Sequence, residues 1–187
     1  MTKRPAIFLD RDGTLIEEVN YLSRVEDLRL FPFSADAVGH LKDAGFLMVV
    51  VTNQSGIGRG IYTEADMHAI HDAIQTELNG AIDAFYFCPH LPSDGCDCRK
   101  PKLGMIEAAT LDLEIDIENS WMIGDKKIDI ETGHAAGMRT ALVLTGYGMQ
   151  HEPLLQKRPH VTSEDFGAAT KEILRISDLK FEILKLG

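Results

Sequence analysis

Residues 6–14 read AIFLDRDGT, an apolar run that passes straight into two aspartates and then Gly-Thr. A short, continuous apolar run bounded by turn residues is the pattern of a strand buried on both faces, and Gly13 permits an immediate turn after it. A second run, FLMVVVT at 46–52, is β-branched and uninterrupted, as the middle of a parallel sheet covered on both sides requires. Between the two, Ser34 opens a helical stretch that ends near Gly45.

The same alternation continues outward. Thr63 caps a helix to about Asn79, with Asp66 at the capping-box position. A strand near 82–87, a Pro/Cys-rich loop, a helix at 103–112, a strand at 119–124, a helix at 126–136 and a strand at 139–145 follow. Weaker signals place a short strand at 160–162 and a helix at 165–176, and the apolar end FEILKLG receives no role. Strands and helices alternating with short connections predict an α/β fold: a doubly wound, Rossmann-like parallel sheet in three layers, one domain over residues 1–187. Ligands of such a sheet bind beyond the carboxyl ends of its strands, where the strand order reverses.

Composition narrows the function. With 187 residues, 44% hydrophobic and 26% charged, the chain is an ordinary globular protein rather than a disordered or fibrous one. A net charge of -10 argues against nucleic acid as partner, because phosphate backbones need a clustered basic face. No stretch approaches the ~20 apolar residues that cross a bilayer, and the start is too short for a signal sequence. The expectation is a cytoplasmic monomer acting on a small anionic molecule, with no membrane partner.

Asp10 ends the first strand, so its side chain and that of Asp12 emerge at one edge of the sheet. A carboxylate is ionised at neutral pH and attacks without a partner base, but a phosphate ester is also negative, and cations are then compulsory. Candidates stand at the other strand ends: Thr52 and Asn53, Lys100 after the cysteine loop, and Asp125 at the end of SWMIGD. Asp10 and Asp125 suit magnesium, a hard ion that takes carboxylates, waters and substrate phosphate. Lys100 and the Thr52 hydroxyl suit the equatorial oxygens of a phosphoryl group in transfer, which leaves Asp12 as proton donor to the departing alkoxide. Any one of these aspartates taken singly reads as a helix cap or turn residue; the set carries the argument.

All three cysteines fall between positions 88 and 98, unlike the dispersed set of a secreted disulfide scaffold. Cys88, His90, Cys96 and Cys98 form a soft three-thiolate, one-imidazole group suited to tetrahedral zinc with no open position, hence a structural site. Such a metal would stiffen the loop and fix Arg99 and Lys100 beside its last ligand.

As an ordered set, DRDGT at 10–14, VVVTNQSG at 49–56, CRKP at 98–101 and IGDKKID at 123–129 resemble the haloacid dehalogenase-like superfamily. The resemblance implies Asp10 as nucleophile and Asp12 as acid and base, with magnesium held by Asp10, the main-chain carbonyl of Asp12 and Asp125, and Asp129 standing behind them. Dehalogenase members lack the second aspartate, so Asp12 points to phosphoryl transfer. DRDGT, TNQSGIGRG and the CPH…CDCRKP loop together are similar to a narrower branch, the heptose 1,7-bisphosphate 7-phosphatases of lipopolysaccharide-core precursor synthesis and the histidinol-phosphate phosphatases. The heptose branch is favoured because the likeness extends through NQSGIGRG and because Arg59, Arg99 and Lys126 would answer a distal phosphate, although the cysteine loop itself looks very like that of the histidinol-phosphate branch. The family pattern further implies Arg99 in catalysis and substrate contacts at Arg11, Glu18, Val19, Asn20, Tyr21, Thr52, Asn53, Gln54 and Ser55.

Many relatives carry a cap domain, for which the intervals here leave no room; loops near 16–24, 54–60 and 88–100 would then shape an open site. GIGRG at 56–60 lacks nucleotide-binding spacing, the helical His40, His68, His71 and His134 read as solvent-facing or half-buried, and Trp121 reads as core. A phosphotransferase or mutase, or a silent binding module on the same fold, are the readings of another class.

Overall fold

The computed structural model describes residues 3–185, with side chains described through Ser177. β1 (Ala6–Leu9), β2 (Leu47–Asn53), β3 (Ala84–Cys88), β4 (Trp121–Gly124), β5 (Arg139–Val143) and β6 (Val161–Ser163) form one sheet in the order β3-β2-β1-β4-β5-β6. Every pairing is parallel. The order reverses between β1 and β4, which places the switch-point crevice at the carboxyl ends of these two strands, where Asp10 and Asp125 lie.

Successive side chains of a strand point to opposite faces, and the two cores follow that rule. Ile7, Leu9, Met48, Val50, Trp121, Ile123, Ala141 and Val143 pack on one side with residues of α1 (Ser34–Asp43), α3 (Glu64–Glu77) and α7 (Phe166–Lys185). Ala6, Phe8, Leu47, Val49, Val51 and Met122 face the other way, onto Met105, Ile106 and Ala109 of α4 (Gly104–Asp112). On that same face α5 (Lys127–Ala135) approaches closely through Gly133, where a Cβ would stand 2.7 Å from that of Met122. Both faces being covered is why β1 and β2 read as unbroken apolar runs. Two single-turn helices, α2 (Ser55–Gly58) and α6 (Gly148–His151), sit in the loops after β2 and β5. Among the described residues, β1 and β2 are separated only by a loop with one short 3-10 turn and α1.

The differences from the sequence reading are local. β3 begins at Ala84, two residues late; just before it Asp83 donates its amide to the Met48 carbonyl (2.8 Å) while its carboxylate accepts from the Met48 amide (2.7 Å) and Lys42 (2.8 Å). The capping box at Thr63 and Asp66 is present, and α3 stops short of Asn79, which adopts a left-handed conformation ahead of Gly80. α7 runs on to Lys185, well past the expected end at 176; the side chains of FEILKLG lie outside the described residues.

His71 departs furthest. It is 4% exposed, stacks on Phe85 with centroids 4.4 Å apart, and its Nε2 has no hydrogen-bond partner. Burial, reinforced by the nearby Arg11 guanidinium, pushes the imidazole down to about 3. The folded value lies below the unfolded one, so the unfolded chain binds the extra proton and stability falls as pH drops below about 6.5. From pH 7.5 to pH 5 this group alone should cost about 2 kcal/mol. His71→Phe should lessen the pH 7.5-to-5 loss in urea-unfolding free energy by that amount; an unchanged loss would refute the assignment.

Candidate active site

The cleft forms where β1, β2 and β4 end. Asp10 leaves β1 with its amide bonded to the Ile123 carbonyl (2.9 Å), which keeps it in register with the end of β4. Its Oδ1 accepts from Lys100 Nζ at 3.0 Å, and Lys126 Nζ stands 3.7 Å from Oδ2. Burial by itself would raise the Asp10 carboxyl; the two ammonium groups outweigh it and hold it below the usual range, so Asp10 is ionised and held in one orientation. Lys100 is just as buried and would lose its proton more easily for that reason, yet Asp10 and Asp129 hold it above the ordinary value.

Asp129 has both oxygens committed. Oδ1 accepts from Lys100 Nζ at 2.6 Å, and Oδ2 accepts from the Lys126 amide at 3.0 Å, capping α5. It orients Lys100 and the start of a helix.

Asp125 is the reverse case. Its Oδ2 accepts from the Tyr147 amide at 2.8 Å, while Oδ1 is buried without a hydrogen bond and meets only the Lys126 ammonium at 3.3 Å. Burial and the Asp10 charge push it up to about 7, since another anion here is unfavourable without a further cation. Gly13 and Gly146 enclose it: a Cβ at either would stand 2.4 or 2.3 Å from Asp125 Oδ2, and both residues have positive φ. Oxygens of Asp10, Asp125 and Asp129 lie within 4.8 Å of one another. Three carboxylates against two lysines, with one oxygen unpartnered, fit a hard divalent cation.

Asp12 is held differently. Arg11 Nε and Nη2 reach its Oδ2 and Oδ1, each at 3.0 Å, and Gln54 Nε2 donates to Oδ2 at 2.9 Å and to Thr52 Oγ1 at 2.8 Å. Arg11 is 1% exposed, so a residue expected on the substrate is turned inward onto its neighbour. Val19 and Arg59, also expected there, do not reach the cleft wall; Val19 points outward and Arg59 follows the end of α2.

The open cleft of about 220 Å³ is lined by Asp10, Asp12, Glu18, Asn20, Tyr21, Thr52, Asn53, Gln54, Ser55, Arg99, Lys100 and Lys126 among the expected residues. Leu22 and Gly56, from the expected loops 16–24 and 54–60, also line it, as do Tyr62, Ile128 and Tyr147, which were not anticipated. Tyr147 had a legible signal, since TGYG follows the end of β5 at the ligand-binding edge of the sheet, and its ring lies 5.1 Å below Lys126 Nζ. Tyr62 and Ile128 had none, because nothing local says which way they face. Glu18, partly desolvated, is shifted upward despite Lys126 at 3.3 Å.

Lys100 owes its place to the cysteine loop. Asn53 clamps its backbone from both sides, Oδ1 accepting from the amide (3.1 Å) and Nδ2 donating to the carbonyl (3.2 Å). Gln54 N donates to Cys88 O (2.8 Å) and Arg99 Nη1 to His90 O (3.2 Å). Cys88, Cys96 and Cys98 are free thiols with sulfurs 3.5 and 3.6 Å apart in successive contacts, and His90 Nδ1 lies 3.2 Å from Cys98 Sγ. Tetrahedral zinc with ~2.3 Å bonds to sulfur separates its ligands by roughly 3.8 Å, close to this spacing and far from a disulfide. Burial and the neighbouring sulfurs push Cys98 up to about 12, so as thiolates these sulfurs would need a cation between them.

A family model described as HAD-hydrolase-like matches residues 97–169. The chain is 40% identical over 187 aligned positions to the D-glycero-D-manno-heptose-1,7-bisphosphate 7-phosphatase of Thermosynechococcus vestitus, covering 91% of this chain and 95% of that one. It is 41% identical to the D-glycero-beta-D-manno-heptose-1,7-bisphosphate 7-phosphatase of Escherichia coli K12, over 76% and 80% of the two chains. The fold superposes with a TM-score of 0.84 and 32% identity on the D,D-heptose 1,7-bisphosphate phosphatase of B. bronchiseptica, solved with magnesium and phosphate, covering 91% of this chain and 98% of that one.

Two metal predictions follow from these geometries. Magnesium at 100 times its dissociation constant should stabilise the protein by about 2.7 kcal/mol, or roughly 5–10 °C in melting temperature. Asp125→Asn should remove that shift, and a full shift in the variant would contradict the ligand assignment. Protein purified without chelator should carry about one zinc per chain by elemental analysis, as one four-ligand site holds. Cys98→Ser should lose it; wild-type protein without zinc from zinc-supplemented medium would refute the site.

Proposed function

We propose that this chain, which belongs to the heptose 1,7-bisphosphate 7-phosphatase family of haloacid dehalogenase-like hydrolases, removes the 7-phosphate of D-glycero-D-manno-heptose 1,7-bisphosphate and leaves the 1-phosphate, on the way to lipopolysaccharide-core heptose. It is a phosphoric monoester hydrolase, dependent on magnesium and carrying structural zinc. The observation that carries the reading is the convergence of Asp10, Asp12, Thr52 and Lys100 on one open cleft, with Asp125 buried within 4.8 Å of Asp10. The substrate itself follows from the relatives.

The Asp10 carboxylate attacks phosphorus, forming an aspartyl-phosphate while the bond from phosphorus to the sugar oxygen breaks. Asp12 gives its proton to that departing oxygen. Water then attacks the aspartyl-phosphate, Asp12 takes the water's proton, and inorganic phosphate leaves with Asp10 restored. Lys100 and Thr52 face the oxygens of the group in transfer, where charge is greatest. Asp10, Asp125 and the main-chain carbonyl of Asp12 would hold magnesium, which when bound offsets phosphate charge as a Lewis acid. Arg99, on the cleft wall, is suited to the distal phosphate, and Glu18, Asn20 and Tyr21 to the sugar. The enzyme is a single-domain monomer in this reading, and it works in the cytoplasm, where clustered thiols stay reduced.

Histidinol phosphate has no second phosphate for Arg99. One charge-assisted contact is worth about 1.5–3 kcal/mol, so kcat/KM with magnesium should favour the heptose bisphosphate over histidinol phosphate by about 10–100-fold. Equal values, or a preference for histidinol phosphate, would overturn the substrate.

A further inference from the structure

Tyr62 takes part in none of the steps above, yet it is 6% exposed, lines the cleft and donates its hydroxyl hydrogen bond to Gln54 Oε1. The other end of the same amide donates to Asp12 Oδ2 at 2.9 Å and to Thr52 Oγ1 at 2.8 Å. A glutamine amide has nearly the same shape in either orientation, so its partners alone decide which end faces which group. While Asp12 is ionised, its charge demands the donor end. Once Asp12 carries the proton it will give away, that demand disappears: a flipped Gln54 would present its oxygen and could accept the Asp12 proton in a hydrogen bond pointing away from the leaving group.

The lone pairs of Asp12 make this costly. Oδ2 receives two donors, Arg11 Nε at 3.0 Å and Gln54 Nε2 at 2.9 Å, whereas Oδ1 receives only Arg11 Nη2 at 3.0 Å. An oxygen with two donors has no lone pair left, so a proton on Asp12 belongs on Oδ1 as long as Gln54 keeps its orientation. We infer that Tyr62 is a positioning residue: its hydroxyl fixes the polarity of the Gln54 amide, and thereby keeps the transferable proton of Asp12 on Oδ1.

The ring is placed for this task. It lies against Gly56, where a Cβ would come within 2.1 Å of Tyr62 Cε1, so any side chain at 56 would displace it. The capping box of the next residue, Thr63, anchors the backbone. A phenol can also accept, but Gln54 Oε1 is the acceptor of this buried hydroxyl, so a flipped amide would leave the Tyr62 O–H without a partner.

The inference rests on Asp12 as the acid of the proposed reaction, and the test separates the two. Tyr62→Phe keeps the ring and removes only the hydroxyl. kcat/KM reports steps through formation of the aspartyl-phosphate; a sugar ester needs a proton on its leaving oxygen then, and 4-nitrophenyl phosphate does not. Tyr62→Phe should lose about tenfold in kcat/KM with the heptose bisphosphate, the worth of one buried hydrogen bond, and less than about twofold with 4-nitrophenyl phosphate. Retained turnover of the aryl ester also reports an intact fold. Asp12→Asn should show the same selectivity with a larger loss. If Asp12→Asn is selective and Tyr62→Phe loses equally on both esters, or on neither, the role of Tyr62 is overturned while Asp12 stands. If Asp12→Asn is not selective, both assignments fall.

Discussion

Three carboxylates and two ammonium groups share a volume from which water is largely excluded, and that constraint organises the carboxyl edge of the sheet. Asp10, Asp125 and Asp129 are each at most 4% exposed, and Lys100 is 3% exposed. Buried ions are costly unless paired and fully hydrogen-bonded. Lys100 bridges Asp10 and Asp129, while Lys126 stands between Asp10, Asp125 and Glu18. The set is still one positive charge short, and the shortage falls on the Asp125 oxygen without a hydrogen bond. The fold thus tolerates an electrostatic deficit at the place where a cation and a phosphate ester bring theirs.

The scaffold serves that deficit through backbone rather than through large side chains. Glycines at 13 and 146 let two loops close on the Asp125 carboxylate, and Asn53 grips the main chain of Lys100 from both sides. The cysteine loop, tied to the α2 region through Gln54 to Cys88 and Gly58 to Pro89, carries Lys100 inward from beyond β3. A loop rich in Pro, Gly and Asp has no apolar core of its own, so a metal at Cys88, His90, Cys96 and Cys98 supplies the order that packing does not.

Much of this was legible in one dimension. Period and punctuation located the strands, because a strand covered on both faces must be apolar throughout, and the first, second and fourth strands ran out at Asp10, Thr52 and Asp125. What misled were residues whose direction depends on a neighbour distant in sequence. Arg11 was expected on the substrate from the family pattern; in the fold it turns inward and grips Asp12. His71 reads as a helix-surface residue until Phe85 of β3 stacks against it. Arg59 belongs to a loop that borders the cleft, but its own position lies past the turn of α2.

Residue order alone therefore determined the layer architecture, the sheet edge at which the aspartates gather, and the metal-binding character of the cysteine loop. These depend on hydrophobic period and on the intrinsic chemistry of side chains, both local properties. Tertiary structure decided which lysine meets which carboxylate, which oxygen remains unpartnered, and how Tyr62 reaches Gln54. Those are matters of ångströms between segments far apart in the chain, such as Asp10 and Lys100 at 90 positions, and only packing brings them together.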